Sequence, residues 1–245
     1  MKKSYLAALT VALFSVQGLA LDYNNIINYA NDTDAQKEAT FNALAKDMGA
    51  VLGGGFYHSG KSLGVVGFDA GGRISIQKIS DDNKLFKDNN TDMIALPWVQ
   101  LEKGLPMKID LIVRGISSDG LTAYGGGIKY NLISFAVLNI SAVLSHNQLT
   151  HDYLKATTTG LGVVASLDIP IIKPYVGFGS DSTEVTPGTK ALADAPLLEG
   201  VKGKSSGTRI EAGVNISPLP LLYIYGAYTM VNSGTGYAGG LGLKF

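Results

Sequence analysis

The chain has no cysteine in 245 residues. That excludes a disulfide framework, a thiolate metal site, a cysteine nucleophile and the modified cysteine that a lipoprotein carries behind its leader. Charge is scarce as well. Asp, Glu, Lys and Arg together make up 16%, against roughly 25% in soluble domains. The 20 basic and 20 acidic residues balance, so no basic surface accumulates and no nucleic-acid partner is expected. Long apolar runs are also missing. Behind the first twenty residues none approaches the roughly 18 to 20 positions that a membrane-spanning helix needs. Low charge without a helical span leaves two classes, a soluble β-rich domain or a membrane barrel.

What is present begins with a leader. Lys2 and Lys3 precede the apolar run Leu6 to Val16, and Gly18-Leu19-Ala20 puts small residues at a cleavage site. This is the anatomy of a secretory signal peptide over 1–20, and the run is too short for a transmembrane anchor. Removing Lys2 and Lys3 leaves 18 basic against 20 acidic residues, a formal charge of −2.

Residues 21–50 form an N-terminal helical segment. Asp22 to Ala30 suits one short helix. A second starts at Thr33, with Gln36 three positions on as a capping box. Ala35, Ala39, Leu44 and Met48 recur near helical spacing, and Gly49 is a candidate C-cap. The segment either packs at a periplasmic rim or plugs a barrel mouth.

From residue 51 to 245 the period changes to two. In Leu105 to Arg114, Leu105, Met107, Ile109, Leu111 and Val113 share a face opposite Lys108, Asp110 and Arg114. The segments 136–146, 160–169 and 209–216 alternate in the same way, with Leu, Ile, Val and Ala on one face and Gly, Ser, Asn and single charges on the other. Six further segments bring the count to ten, with eight or twelve as alternatives, since bacterial single-chain barrels have even strand numbers. Val51 to His58 is a candidate extra strand. Short connections alternate with longer polar ones at 80–92 and 184–205. A sandwich would turn a heavily charged face to water, whereas here the polar face is small and charge-poor, as suits a narrow barrel interior. The fold class expected is therefore all-β, an antiparallel up-and-down transmembrane β-barrel of about ten strands with a short N-terminal helical segment. Outer-membrane lipid is the expected partner of its apolar face. Tyr57, Tyr124, Tyr130, Tyr223, Tyr225, Tyr228, Tyr237 and Trp98 are candidates for interfacial girdles. The chain ends on Phe245, and Tyr237, Leu241, Leu243 and Phe245 alternate on one face. That ending resembles the C-terminal signal read by the barrel-assembly machinery.

One stretch carries a family resemblance. Asp47-Met48-Gly49, Gly54-Gly55-Phe56-Tyr57-His58-Ser59-Gly60-Lys61, Leu63-Gly64 and Gly67-Phe68-Asp69 resemble an uncharacterised family of outer-membrane β-barrel proteins of unknown function with a short N-terminal helix. The resemblance implies a barrel behind a helix and supplies no activity.

Chemistry is sparsely indicated. Ser145-His146-Asn147 and His151-Asp152 hold the residue types of an acyl-chain hydrolase. Neighbours on a strand point to opposite faces, however, so Ser145 and His146 do not face each other. No catalytic residue, cofactor or metal site is expected, and Gly125-Gly126-Gly127 lacks the helix that a phosphate-binding loop requires. The inner-face charges are the candidate site: Asp69, Arg73, Lys108, Asp110, Arg114, Asp168, Arg209 and Glu211, with Lys129, Lys173, Asp181 and Lys244 near them. Mixed signs suit ion-pair ladders in a closed lumen better than a selective pore. The expected role is passage or binding of a small solute or apolar molecule. The alternatives are a structural or interaction barrel of the envelope and an acyl-chain enzyme at the rim.

Overall fold

Ten segments of period-two sequence pair into one closed antiparallel barrel. The computed structural model describes residues 23–118 and 120–245; the expected signal peptide, 1–20, lies outside the described residues. The strands are β1 (Phe68–Lys78), β2 (Met93–Leu105), β3 (Ile109–Ser118), β4 (Leu121–Phe135), β5 (Leu138–Thr150), β6 (Leu154–Leu167), β7 (Ile172–Pro187), β8 (Gly203–Ile216), β9 (Leu222–Val231) and β10 (Gly234–Lys244). Each pairs with its sequence neighbours. β1 closes on β10 in a register running from Asp69↔Lys244 to Gln77↔Gly236. Closure leaves no strand edge unpaired, which solves the aggregation problem of an open sheet.

The two ends of the barrel differ. Both chain ends of the sheet, Phe68 and Phe245, meet at one end through paired backbone hydrogen bonds of 3.2 and 2.8 Å. The connections at this turn end are short. The opposite loop end carries the 79–92 connection with α2 (Lys84–Lys87) and the 188–202 connection with α3 (Thr189–Asp194).

β2 and β3 join through Pro106–Lys108, where Met107 and Lys108 take left-handed φ values of 64° and 61°. This corrects the reading of 105–114 as one strand. The alternation Leu105, Met107, Ile109 passes unbroken through the turn, so hydropathy alone did not reveal it. Lys108, expected in the lumen, is instead exposed on that turn.

Outward positions are apolar. Leu111, Leu144, Leu161, Phe178, Ile210 and Ile224 are between 46% and 64% exposed. Towards the loop end the outward positions turn polar, with Gln148 and Thr150 on β5 and Lys204, Ser206 and Thr208 on β8. The apolar belt therefore covers the part of the wall nearer the turn end. Four aromatic residues expected in the girdles lie inside instead: Trp98, Tyr57, Tyr223 and Tyr225 are buried. Tyr124, Tyr130, Tyr228 and Tyr237 do face outward.

The core of the molecule is the barrel interior. A 3-10 turn (Tyr23–Tyr29) leads to helix α1 (Asp34–Gly53). Thr33 caps α1 with Gln36 completing the capping box. The helix does not stop at Gly49 but continues to Gly53, and residues 54–58 form no strand. α1 packs against the inner faces of β1, β2 and β5–β8. Phe41, Leu44, Met48 and Leu52 are buried there with Trp98, Leu154 and Val185. A second cluster nearer the turn end gathers Phe56 and Tyr57 with Ile112, Val164, Tyr175, Tyr223 and Tyr225. No helix among the described residues is long and apolar enough to cross a membrane.

Candidate functional site: the filled lumen

The protein's own N-terminal chain runs through the lumen from the loop end to the turn end. At the loop end, the Lys37 ammonium donates to the Leu197 carbonyl at 3.2 Å and the Lys204 amide donates to the Asn42 side chain at 2.7 Å. Asp47 accepts from the Ser80 amide at 3.1 Å, from the Ser80 hydroxyl and from the Asn83 amide at 2.7 Å. Burial pushes its carboxyl above the ordinary carboxylate value, with those hydrogen bonds pulling the other way. Tyr29 donates to Asp88 at 3.0 Å, and burial together with that carboxylate pushes its phenol up to about 12.

The C-terminus of α1 ends on two buried arginines from opposite walls. Arg209 on β8 donates to the Gly49 and Ala50 carbonyls at 3.3 and 3.1 Å, and its Nε to Asp181 at 2.8 Å. Arg114 on β3 donates to the Leu52 carbonyl, to the Gly54 carbonyl at 2.9 Å and to Asn147 at 2.9 Å. Its guanidinium lies 4.2 Å from the Trp98 ring centroid and 4.8 Å from that of Phe56. A helix leaves its last four carbonyls unpaired and carries partial negative charge there. The two guanidinium groups satisfy two of those acceptors, Ala50 and Leu52, and meet that charge where water is excluded. This is why a helix with glycine at 49 and 53 does not stop at the first of them.

Past the helix the chain is irregular and bonded to the wall at nearly every step. Gln100 donates to the Phe56 carbonyl at 3.0 Å. The Gly60 carbonyl accepts from Asn131 at 3.0 Å and Ser141 at 2.6 Å, and its amide donates to Ser166 at 2.9 Å. Lys61 pairs with Asp168, and Asp110 accepts from Ser62 and the Leu63 amide at 2.9 and 3.0 Å. Two wall glycines make room for the aromatics. A Cβ on Gly127 would lie 2.6 Å from the Phe56 ring, and one on Gly177 would enter the Tyr57 ring.

Beside this thread lies a buried charge network. Arg73 pairs with Glu102 at 2.8 Å and lies 3.5 Å from Asp69. Lys129 bridges Glu102 at 3.3 Å and Asp110 at 3.2 Å. His58 stacks on Tyr223, with ring centroids 4.4 Å apart. It also takes an Arg73 hydrogen at 2.6 Å. His58, Asp69 and Glu102 bring possible metal-ligand atoms within 4.8 Å of one another. Arg73 and Lys129 already occupy His58 Nδ1 and both Glu102 oxygens, so two of the three possible ligands are engaged by the network's own cations.

Of the candidate residues, Asp69, Arg73, Asp110, Arg114, Arg209 and Glu211 are buried on the inner face. Arg114 and Arg209 meet on the helix end, whereas Asp69, Arg73 and Asp110 meet in the charge network. Glu211 accepts from Tyr175 at 2.8 Å. Asp168 lies at the turn end between Lys61 and Lys173, and Lys108 stands apart on its turn. Glu102, His58 and Asp47 were missed. Glu102 shares the parity of Trp98 and Gln100 on β2 and was legible by alternation; Asp47 and His58 stand in the stretch that carries the family resemblance, which assigns them no role. Ser145 faces inward, while His146 faces outward and bonds Thr159 at 2.9 Å. Inside the barrel wall, a gap beside Phe56 and Tyr57 measures about 20 Å³, room for roughly one water.

The profile of a family described as a family of unknown function (DUF6588) matches residues 85–245. That span holds β2–β10 and leaves out the 47–69 stretch that carried the resemblance in sequence. Among curated proteins, none matches the chain. Solved structures similar to it include the N-terminal β-barrel domain of OprF from Pseudomonas aeruginosa, at 15% identity over 74% of this chain and 99% of that one, with a TM-score of 0.36. The outer membrane protease OmpT from Escherichia coli is similar at 9% identity over 73% and 96%, TM-score 0.37. The outer membrane protein OprG from Pseudomonas aeruginosa is similar at 11% identity over 77% and 99%, TM-score 0.35.

Proposed function

The chain belongs to the DUF6588 family of unknown function, and on that premise we propose that it is an outer-membrane barrel that anchors its own N-terminal chain across the membrane. In this reading it serves the envelope as a structural or interaction element rather than as a pore. The observation that carries the reading is the course of residues 34–64 through the lumen, bonded to the wall from Asn42 to Leu63. Barrels of this class set short turns toward the periplasm and longer loops outward. By that rule α1 enters from the outside and β1 starts at the periplasmic end. The apolar belt of Leu, Ile, Val and Phe is the face for outer-membrane lipid, since an exposed apolar surface of that extent is unfavourable in water. Tyr237, Leu241, Leu243 and Phe245 point outward at the end of the last strand, where they would serve the barrel-assembly machinery. Passage of a solute needs a path wider than the gap beside Phe56, and acyl transfer at the rim needs a nucleophile facing its base, which Ser145 and His146 lack.

The test is single-cysteine labelling with a membrane-impermeant maleimide, in a chain with no native cysteine. Asn31→Cys at the loop end is expected to react in intact cells, and Met107→Cys at the turn end only after the outer membrane is opened. The reverse pattern would overturn the reading.

A further inference from the structure

A pocket of about 430 Å³ opens at the turn end, between the last part of the threaded chain and the β6–β7 and β8–β9 connections. Its volume falls within the range of small-molecule sites. Its polar lining comes from Ser59, Asp168, Lys173, Asn215 and Lys244, and its rim from the apolar run Leu219 to Leu222.

The charges in this pocket do not cancel. Asp168 is shared by two cations, Lys61 and Lys173, the latter at 3.1 Å. Lys244 has no ion pair among the described residues. Its cross-strand partner in register is Asp69, but that carboxylate already takes the Tyr223 hydroxyl at 2.7 Å and faces Arg73 at 3.5 Å. Two ammonium groups, Lys173 and Lys244, thus line the pocket against the one carboxylate of Asp168, which Lys61 also engages from outside the lining.

Asn215 supplies a second, independent observation. It is 4% exposed, lines the pocket, and its Oδ1 is buried without a hydrogen-bond partner. Its amide makes no side-chain hydrogen bond among the described residues. A buried amide oxygen left unsatisfied costs about 1–3 kcal/mol, so this atom calls for a ligand that donates a hydrogen bond, such as a hydroxyl.

We propose that this turn-end pocket binds a phosphate group, held by Lys244 and Lys173, with the Asn215 amide donating to a phosphate oxygen and accepting from a ligand hydroxyl. A hydrogenphosphate ion and the headgroup of a hydroxyl-bearing anionic phospholipid share that chemistry. The apolar run Leu219 to Leu222 at the rim gives the second a surface for its acyl chains.

The experiment is calorimetric titration of the full mature protein, folded in a non-ionic detergent. The probes are inorganic phosphate, dihexanoyl-phosphatidylglycerol and, as the neutral control, dihexanoylglycerol. Binding of the lipid alone assigns the site to a headgroup. Binding of both extends it to the free anion. In either case the neutral control does not bind, Lys244→Gln weakens binding roughly tenfold and Lys244→Arg restores most of it, because a charge-assisted contact is lost and regained. No binding of phosphate or phospholipid to the wild type overturns the proposal, as does equal affinity in Lys244→Gln. The outcome is independent of membrane orientation, so its failure would leave the anchoring role standing, and the reverse.

Discussion

Arg114, in the middle of β3, donates an Nη1 hydrogen to the carbonyl of Gly54, sixty positions earlier in the chain, at 2.9 Å. The contact ties the wall of the barrel to the end of the helix inside it. It makes the end of the helix part of the barrel's packed interior.

Replacing Arg114 by Leu leaves the Leu52 and Gly54 carbonyls without their donor. Hydrogen bonds to charged groups contribute about 1.5–3 kcal/mol each, so Arg114→Leu is expected to lose about 3 kcal/mol or more of stability. Arg114→Lys keeps a cation but not the forked geometry and should fall between. Trp98, the only tryptophan, lies against this guanidinium and reports urea unfolding by its fluorescence. Unchanged midpoints would show that the pairing contributes nothing.

Gly177 and Tyr57 should be coupled. A valine at 177 places its Cβ in the Tyr57 ring, and overpacking of this kind costs about 1–3 kcal/mol. Tyr57→Ala removes the obstruction, so the double variant Gly177→Val, Tyr57→Ala is expected to be more stable than the two single losses predict, by about 0.5–3 kcal/mol of coupling. Additive losses in a double-mutant cycle would place Tyr57 elsewhere than against β7.

Asp47 gives a pH dependence of defined sign. Burial raises its carboxyl above the ordinary value, so the folded state favours the protonated form. The stabilising contribution is fully present below the unfolded value and is lost as pH rises through the folded one. Asp47→Asn keeps an acceptor toward Ser80 and Asn83 without that loss. The stability of Asp47→Asn relative to wild type should therefore grow across that interval, while Asp47→Ala, without the acceptor, is destabilised throughout. Parallel pH curves for wild type and Asp47→Asn would contradict this.

Much of the barrel was legible because a strand pays out its side chains to alternate faces. Ile140, Ala142 and Leu144 could be set against Asn139, Ser141 and Val143 from spacing alone. The capping box at Thr33 was legible because it is local. The turn at Pro106–Lys108 was not, since apolar residues keep their parity through it. The course of residues 54–64 was not legible either. It has no period, and its partners, from Gln100 to Ser166, are far along the chain. Inside a barrel the usual sign of burial also fails. Trp98, Tyr223 and Tyr225 read as interfacial aromatics although they are core, because apolar outward and apolar inward positions differ only in what stands opposite them.

The most direct test of the account is a cysteine pair across the lumen. A Cβ placed on Gly49 lies 3.0 Å from the Thr183 Cβ on β7, which needs a shift of under about 1 Å to reach disulfide geometry. Gly49→Cys with Thr183→Cys, oxidised in whole cells, is expected to give an intramolecular cross-link that changes gel mobility and reverts on reduction. Gly49→Cys with Met107→Cys, which pairs the helix with the turn end, should give none. Failure of the Gly49–Thr183 pair to cross-link in the folded barrel would mean that α1 does not occupy the lumen, and the anchoring account would fall with it.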